Sequence, residues 1–175
     1  MANIIKPNNR EVTFDKDELI VSKTDIKGRI TYINRTFMRV SGYSEEQAMG
    51  QPHNLIRHPD MPRGAFYLMW KTLQQGEEFF AVVKNLCADG SYYWVMANVT
   101  LDYDSNDQVV GYYSVRRPAS QAAIQAVIPV YKEMLALEAR SSDASAPEAS
   151  ARFLLDLLKQ KGVSYRDFIL SFLEE

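Results

Sequence analysis

At 175 residues, with 46% hydrophobic and 11% aromatic side chains, the chain holds enough apolar material for a packed domain plus a smaller appendage, and it is no disordered polymer. Its formal net charge of −2 gives no electrostatic reason to expect nucleic acid or an anionic membrane as partner. The single cysteine, Cys87, excludes an intramolecular disulfide, and two histidines, His53 and His58, argue against a multi-ligand metal site. No apolar run reaches signal-peptide length or the roughly 20 residues of a membrane span, so a cytoplasmic protein is expected.

Residues 1–17 are polar and aperiodic and read as a cap or a mobile arm. Two β-branched runs, 19–24 and 29–33, flank a turn at Gly28 and predict a hairpin. The period then changes: Phe37, Val40 and Tyr43 fall at helical spacing, with Gly42 as the stop. Ser44 and Gln47 form a capping-box pattern that opens a second short helix, closing near Gly50. A longer helix is predicted over 64–75, with Phe66, Met69, Trp70 and Leu73 on its apolar face and Gly76 as its stop.

Between these helices lies Asn54-Leu-Ile-Arg-His-Pro-Asp-Met-Pro62. Its two prolines fix φ, remove two backbone donors and push the residues before them towards extended conformations. The stretch therefore predicts a rigid loop displaying Arg57, His58 and Asp60, suited to a polar, anionic ligand; a solvated surface ion pair is the other reading.

Three strands follow, at 78–86, 92–101 and 109–115, with Asp89-Gly90 turning the chain between the first two. Alternation groups Asn85 with Phe79, Ala81 and Val83, and Asn98 with Tyr92, Trp94 and Met96. The expected class is α+β: a five-stranded antiparallel sheet with short helices on one face, room for a ligand between them, and further helices at the C-terminal end.

Those further helices comprise a flanking segment over 119–140, a Ser/Ala/Pro linker over 141–147, and a pair over 148–175. Ser145 with Glu148, and Ser164 with Asp167, predict the two N-termini of the pair. Phe153, Leu154, Leu157 and Leu158 form one apolar stripe, and Phe168, Ile169, Phe172 and Leu173 another; they either complete a core or present a dimer or partner surface.

Several of these segments together resemble a known family. Asn34-Arg-Thr-Phe37, Val40-Ser-Gly-Tyr-Ser44, Gly50-Gln-Pro-His-Asn54, Arg57-His-Pro-Asp-Met-Pro62, Met69-Trp70 and Val83-Lys-Asn85 look like a PAS domain. More narrowly they resemble the N-terminal FAD-binding PAS domain of bacterial aerotaxis receptors, from about Asp17 to Arg140 and including Val127-Ile-Pro-Val-Tyr-Lys132. The implied partition is a cap at 1–17, a PAS sensor at 18–118 and the helical segments beyond it. Two features depart from those receptors. Phe79 and Phe80 stand where the family tends to carry tryptophan, and a Ser/Ala/Pro linker follows Arg140 where the receptors continue towards a membrane anchor and a coiled coil.

The resemblance implies non-covalent FAD and matches Asn34, Arg57, His58, Asp60, Phe66 and Asn85 to family positions that matter for binding it. Trp70 matches a tryptophan of the family, although at helical spacing beside Phe66 and Leu73 it also reads as core. Arg57 and His58 suit the pyrophosphate; Asp60 either orients Arg57 or accepts from a ribose hydroxyl. The amides of Asn85 and Asn98, on neighbouring strands, are expected to enter one cleft and meet the polar edge of the ring.

The function expected is a bacterial redox or oxygen sensor of the aerotaxis and chemotaxis type. It is not an enzyme; it relays flavin state through sheet and flanking helices to an unnamed signalling partner, as a homodimer through those helices. A cofactor-free PAS interaction module and a b-type haem sensor using His58 or His53 are the competing readings. Cys87, at the end of a strand, is not expected to form a flavin adduct.

Overall fold

Ile20, Ser22 and Thr24 are buried while Val21, Lys23 and Asp25 between them are half-exposed, the period-two signature of a strand with one covered face. This strand, β1 (Ile20–Asp25), opens a computed structural model that describes residues 5–173; the readings for residues 1–4, Glu174 and Glu175 lie outside the described residues. In chain order follow β2 (Ile30–Ile33), α1 (Arg35–Ser41), α2 (Glu45–Ala48), a 3-10 turn (His53–Ile56), α3 (Arg63–Gln74), β3 (Phe79–Leu86), β4 (Tyr92–Tyr103), β5 (Val109–Pro118), α4 (Gln121–Arg140), α5 (Ala146–Gln160) and α6 (Tyr165–Leu170). The strands form one antiparallel sheet of order β2-β1-β5-β4-β3, so the α+β expectation holds.

By internal contacts the chain forms two compact units. One comprises the residues up to His58 together with Val83–Pro118; the other comprises Pro59–Val82 and the residues from Ala119 onward.

In the first unit, Phe37, Ile20, Ile30, Tyr93 and Val95 are at the centre of the apolar core. Helix α1 is held on the sheet by its cap residue. Asn34 Oδ1 accepts from Phe37 N (2.9 Å) and Val21 N (3.1 Å), and Asn34 Nδ2 donates to Leu19 O (2.8 Å). Gly42 ends α1 with φ of 76°, a left-handed conformation, and Ser44 and Gln47 make the expected capping box.

Described residues of the N-terminal segment lie against the start of β4 and the turn before it. Val12 N donates to Tyr92 O (2.7 Å), Tyr92 N to Arg10 O (3.0 Å) and Asn8 N to Gly90 O (2.7 Å), while Phe14 meets Tyr93 edge-on. The approach is so close at Gly90 that a Cβ there would lie 2.3 Å from Lys6 O.

In the second unit, α5 packs on α3 and α4. Gly64 makes the approach of α3 and α5 possible, since a Cβ in its place would stand 2.7 Å from Ala151 N. The buried residues of α3 are Gly64, Ala65 and Leu73, whereas Trp70 is 37% exposed; the expected apolar face of this helix is thus shifted, because small residues seat it against α5. Glu138 of α4 lies across the α3 N-terminus and accepts from Gly64 N (2.9 Å), Arg63 N (3.1 Å) and the Ser150 hydroxyl (2.5 Å).

The predicted capping box at Ser145 is absent. Ser145 is in a helical conformation, its hydroxyl interacts with Ser142, and Pro147 at the first turn of α5 removes an N–H that would otherwise need a partner. Ser164 does cap α6, accepting from Asp167 N at 3.1 Å.

Candidate functional site

The register of the first unit fixes which side chains share a face. Arg116 on β5 pairs with Ile20 and with Ala97, so Arg116, Ile20, Ser22, Thr24, Ala97, Val95 and Tyr93 point to the same side. Phe37 of α1 covers that side: its ring centroid is 5.5 Å from the Arg116 guanidinium carbon and 6.4 Å from the His53 ring.

Arg116 is 2% exposed and has no carboxylate in ion-pairing range among the described residues. It donates through Nη2 to the Ser22 hydroxyl, and its Nη1 is 3.5 Å from His53 Nε2. Burial pushes the guanidinium down to about 10, still far above neutrality, so the group stays charged. His53 is half-buried as a residue, but its ring is enclosed. Burial, and then the Arg116 charge, lower its pKa to about 3, which leaves it neutral.

The first unit holds several buried polar atoms that find no partner. Arg116 Nε, Tyr93 Oη, Asn85 Nδ2, Thr24 Oγ1 and Tyr43 Oη are all buried and unpaired, and all belong to the first unit. Burial raises the Tyr93 hydroxyl well above the ordinary range. The nearby Arg116 charge and Asn85 amide ease it back down, although the amide stays outside hydrogen-bond geometry. Orphaned buried donors of this kind carry a desolvation cost that an acceptor-rich ligand would offset.

Of the sequence-derived candidates, the first unit holds Asn34, Arg57, His58, Asn85 and Asn98; the second holds Asp60, Phe66 and Trp70. Asn85 is 4% exposed, and a backbone bridge sets it beside Arg57. His58 is buried with its ring edge-on to Tyr92 at 6.1 Å. The amide of Asn34 is spent on backbone groups, as described above, so its place is that of a clamp between β1 and α1.

Asn98 does not share a cleft with Asn85. It pairs with Val115, which pairs with Val21, and these lie on the sheet face opposite Arg116, Ala97 and Ser22. Tyr93 and Asn85 are near neighbours, whereas Lys84 reaches back over Tyr92 and Trp94, the parity shared by Asn98.

Arg116, Tyr93 and Ser22 are absent from the candidates that the sequence offered, and His53 entered only as a haem ligand in a competing reading. The strand was expected to end at Val115, which left Arg116 outside it. Pairing with β4 instead carries β5 to Pro118 and turns Arg116 inwards.

Cys87 is buried with its thiol 3.3 Å from Val40 O, and burial pushes its pKa up to about 12, so it is an inert core residue.

Residues 30–116, which take in β2, α1, α2, α3, β3, β4 and β5 as far as Arg116 but not β1, match the family described as the PAS fold. The chain carries a PAS domain. It is 44% identical over 118 residues to an aerotaxis receptor of Escherichia coli K12, a match covering 67% of this chain and 23% of the receptor. A nitrogen fixation regulatory protein of Klebsiella pneumoniae is 29% identical over 106 residues, covering 61% of this chain and 21% of that protein. The chain thus spans less than a quarter of the length of either relative. Among solved structures, a light-oxygen-voltage domain studied with a flavin analogue superposes with a TM-score of 0.55 at 22% identity, over 66% of this chain and 86% of that one. The light-state LOV domain of Aureochrome1 gives 0.55 at 20%, over 65% and 90%. At these identities the superpositions establish the fold of the PAS domain. No described helix is long and apolar enough to cross a membrane.

Proposed function

We propose that this PAS domain binds FAD non-covalently and serves as a redox or oxygen sensor in aerotaxis-type signalling. The observation that carries the reading is the run of orphaned buried donors from Arg116 Nε through the Tyr93 hydroxyl to Asn85 Nδ2. The polar edge of an isoalloxazine ring is rich in acceptors. Asn85 Nδ2, Arg116 Nε and the Tyr93 hydroxyl supply the donors it requires, and Phe37 and Val95 supply apolar wall. Likeness to the aerotaxis receptor adds support for the signalling role.

In this reading Asn85, Tyr93 and Arg116 hold the ring edge, Arg57 faces the anionic part of the cofactor, and Asn34 acts by fixing α1 on β1. Asn98, on the far face, has no role in holding the cofactor. Bound flavin would supply two-electron chemistry, with N5 changing from hydrogen-bond acceptor to donor on reduction. The amide of Asn85, able to donate or accept after a flip, is the side chain suited to follow that change. The two states then differ in their fit to the sheet, which is what a relay to flanking helices and a partner needs. Cytoplasmic residence and pairing of two copies through those helices belong to the same proposal.

A visible spectrum of the purified protein, before and after dithionite and after denaturation, tests the reading. Bands near ~450 nm that bleach on reduction, with FAD released on unfolding, are expected. A Soret band would replace flavin by haem, and a colourless protein that takes up no added FAD would leave a cofactor-free interaction module.

A further inference from the structure

Arg116 is a cation without a counter-ion. It is buried against Phe37, shares its guanidinium hydrogens with two neutral partners, Ser22 and His53, and leaves Nε unpaired; no carboxylate pairs with it among the described residues. A desolvated charge in that position is costly unless a negative charge is provided. The polar groups facing it are Ser22 from β1, His53 from the 3-10 turn and Tyr93 from β4; Asn85, Tyr43 and Cys87 lie beyond Tyr93. None supplies an anion near neutral pH, because His53 is neutral down to about 3, Cys87 is neutral up to about 12, and the two tyrosines are raised above their ordinary value.

Resting on the FAD reading above, we propose that Arg116 is the fixed positive charge that holds the reduced flavin as an anion. Reduction then follows FAD + 2e⁻ + H⁺ → FADH⁻: the proton goes to N5, and the negative charge spread over N1 and the C2 carbonyl stays beside the guanidinium. Two electrons arrive from an external reductant, and the second proton that a neutral reduced flavin would take is refused.

The test is the pH dependence of the midpoint potential of the FAD-loaded full chain, reduced stepwise with dithionite against reference dyes from pH 5.5 to 7.5. One proton per two electrons gives a fall of about 30 mV per pH unit, and two protons give about twice that. The native protein is expected to keep the one-proton slope across the range. Arg116→Gln is expected to steepen to the two-proton slope at the acid end, where the free reduced cofactor carries both protons, and Arg116→Lys to restore the shallow slope. A two-proton slope in the native protein overturns the proposal without any variant. So does a one-proton slope that persists in flavin-loaded Arg116→Gln. Failure of the native chain to hold FAD is a different outcome: it sinks the redox reading itself.

Discussion

The Ser22 hydroxyl stands 2.9 Å from His53 Nε2 and itself accepts from Arg116, whose Nη1 faces the same Nε2 at 3.5 Å, so donation runs from the guanidinium, and through the hydroxyl, to the imidazole. Arginine can only donate, which makes Nε2 the acceptor and places the ring proton on Nδ1. Protonating His53 would set a second cation beside Arg116. Burial first, and that neighbouring charge second, lower the His53 pKa from 6.5 to about 3. A depressed native pKa means that the unfolded chain binds the proton first as pH falls. The stabilisation is complete above about 6.5 and is lost between there and about 3. At the steepest it changes by ~1.4 kcal/mol per pH unit. Urea unfolding at pH 7.5, 6.5 and 5.5 should show a decline that is flatter in His53→Gln; parallel declines in the two proteins would refute this account.

How much of this was legible beforehand differs by element. Hairpins, short helices and the Ser44 capping box were readable because each is fixed by local chemistry: a turn glycine, a cap, or a period of two. The inward Arg116 was not, since a strand's end depends on its neighbours, and it is pairing with Ile20 of β1 and with Val95–Ala97 of β4 that extends β5 past Val115. Nor was the burial of α3, where Gly64 and Ala65 make the contact and the large side chains that dominate a hydrophobicity pattern are partly exposed. Asn98 failed for a third reason. Its parity was read correctly, but placing it in the Asn85 cleft required knowing which parity of β4 meets which of β3.

Asn34 tests whether a residue matched to cofactor binding acts by contact or through the fold. Its amide makes three backbone hydrogen bonds that tie α1 to β1. Asn34→Ala removes the cap and the clamp together and should cost about 2 kcal/mol. Asn34→Asp keeps the acceptor, loses the bond to Leu19 O, and should cost about 1 kcal/mol. Denaturant midpoints measured beside flavin content decide the matter. Full stability with lost flavin would show that Asn34 touches the cofactor, against the role assigned to it here.

Glu138 should be the carboxylate on which the second unit most depends. It is 8% exposed in its side chain and answers two N–H groups at the start of α3 and the Ser150 hydroxyl of α5. Glu138→Ala leaves those donors unsatisfied beside a helix N-terminus and should cost about 2 kcal/mol; Glu138→Gln, which keeps an acceptor but not the charge, about half of that. Differential scanning calorimetry of both variants checks the order, and equal losses would mean that the charge contributes nothing.

Two tyrosines of the C-terminal helices cover part of an edge strand. Tyr131 Oη of α4 donates to Val82 O at 2.7 Å, and Tyr165 Oη of α6 donates to Phe80 O at 2.9 Å while its ring stacks on Phe79 at 5.4 Å. Carbonyls two residues apart on a strand point to the same edge, so the hydroxyls take the place of a further strand on this stretch of β3. Tyr131→Phe preserves packing and deprives a buried carbonyl of its donor, at a cost of about 1 kcal/mol. Tyr131→Phe with Tyr165→Phe leaves both carbonyls without a donor, so that local opening of the helices exposes an unpaired edge to another chain. The double variant should therefore self-associate at high protein concentration by sedimentation velocity, more than either single variant does. If it sediments as the native protein does, these hydroxyls serve stability alone and the edge is protected by the bulk of the helices.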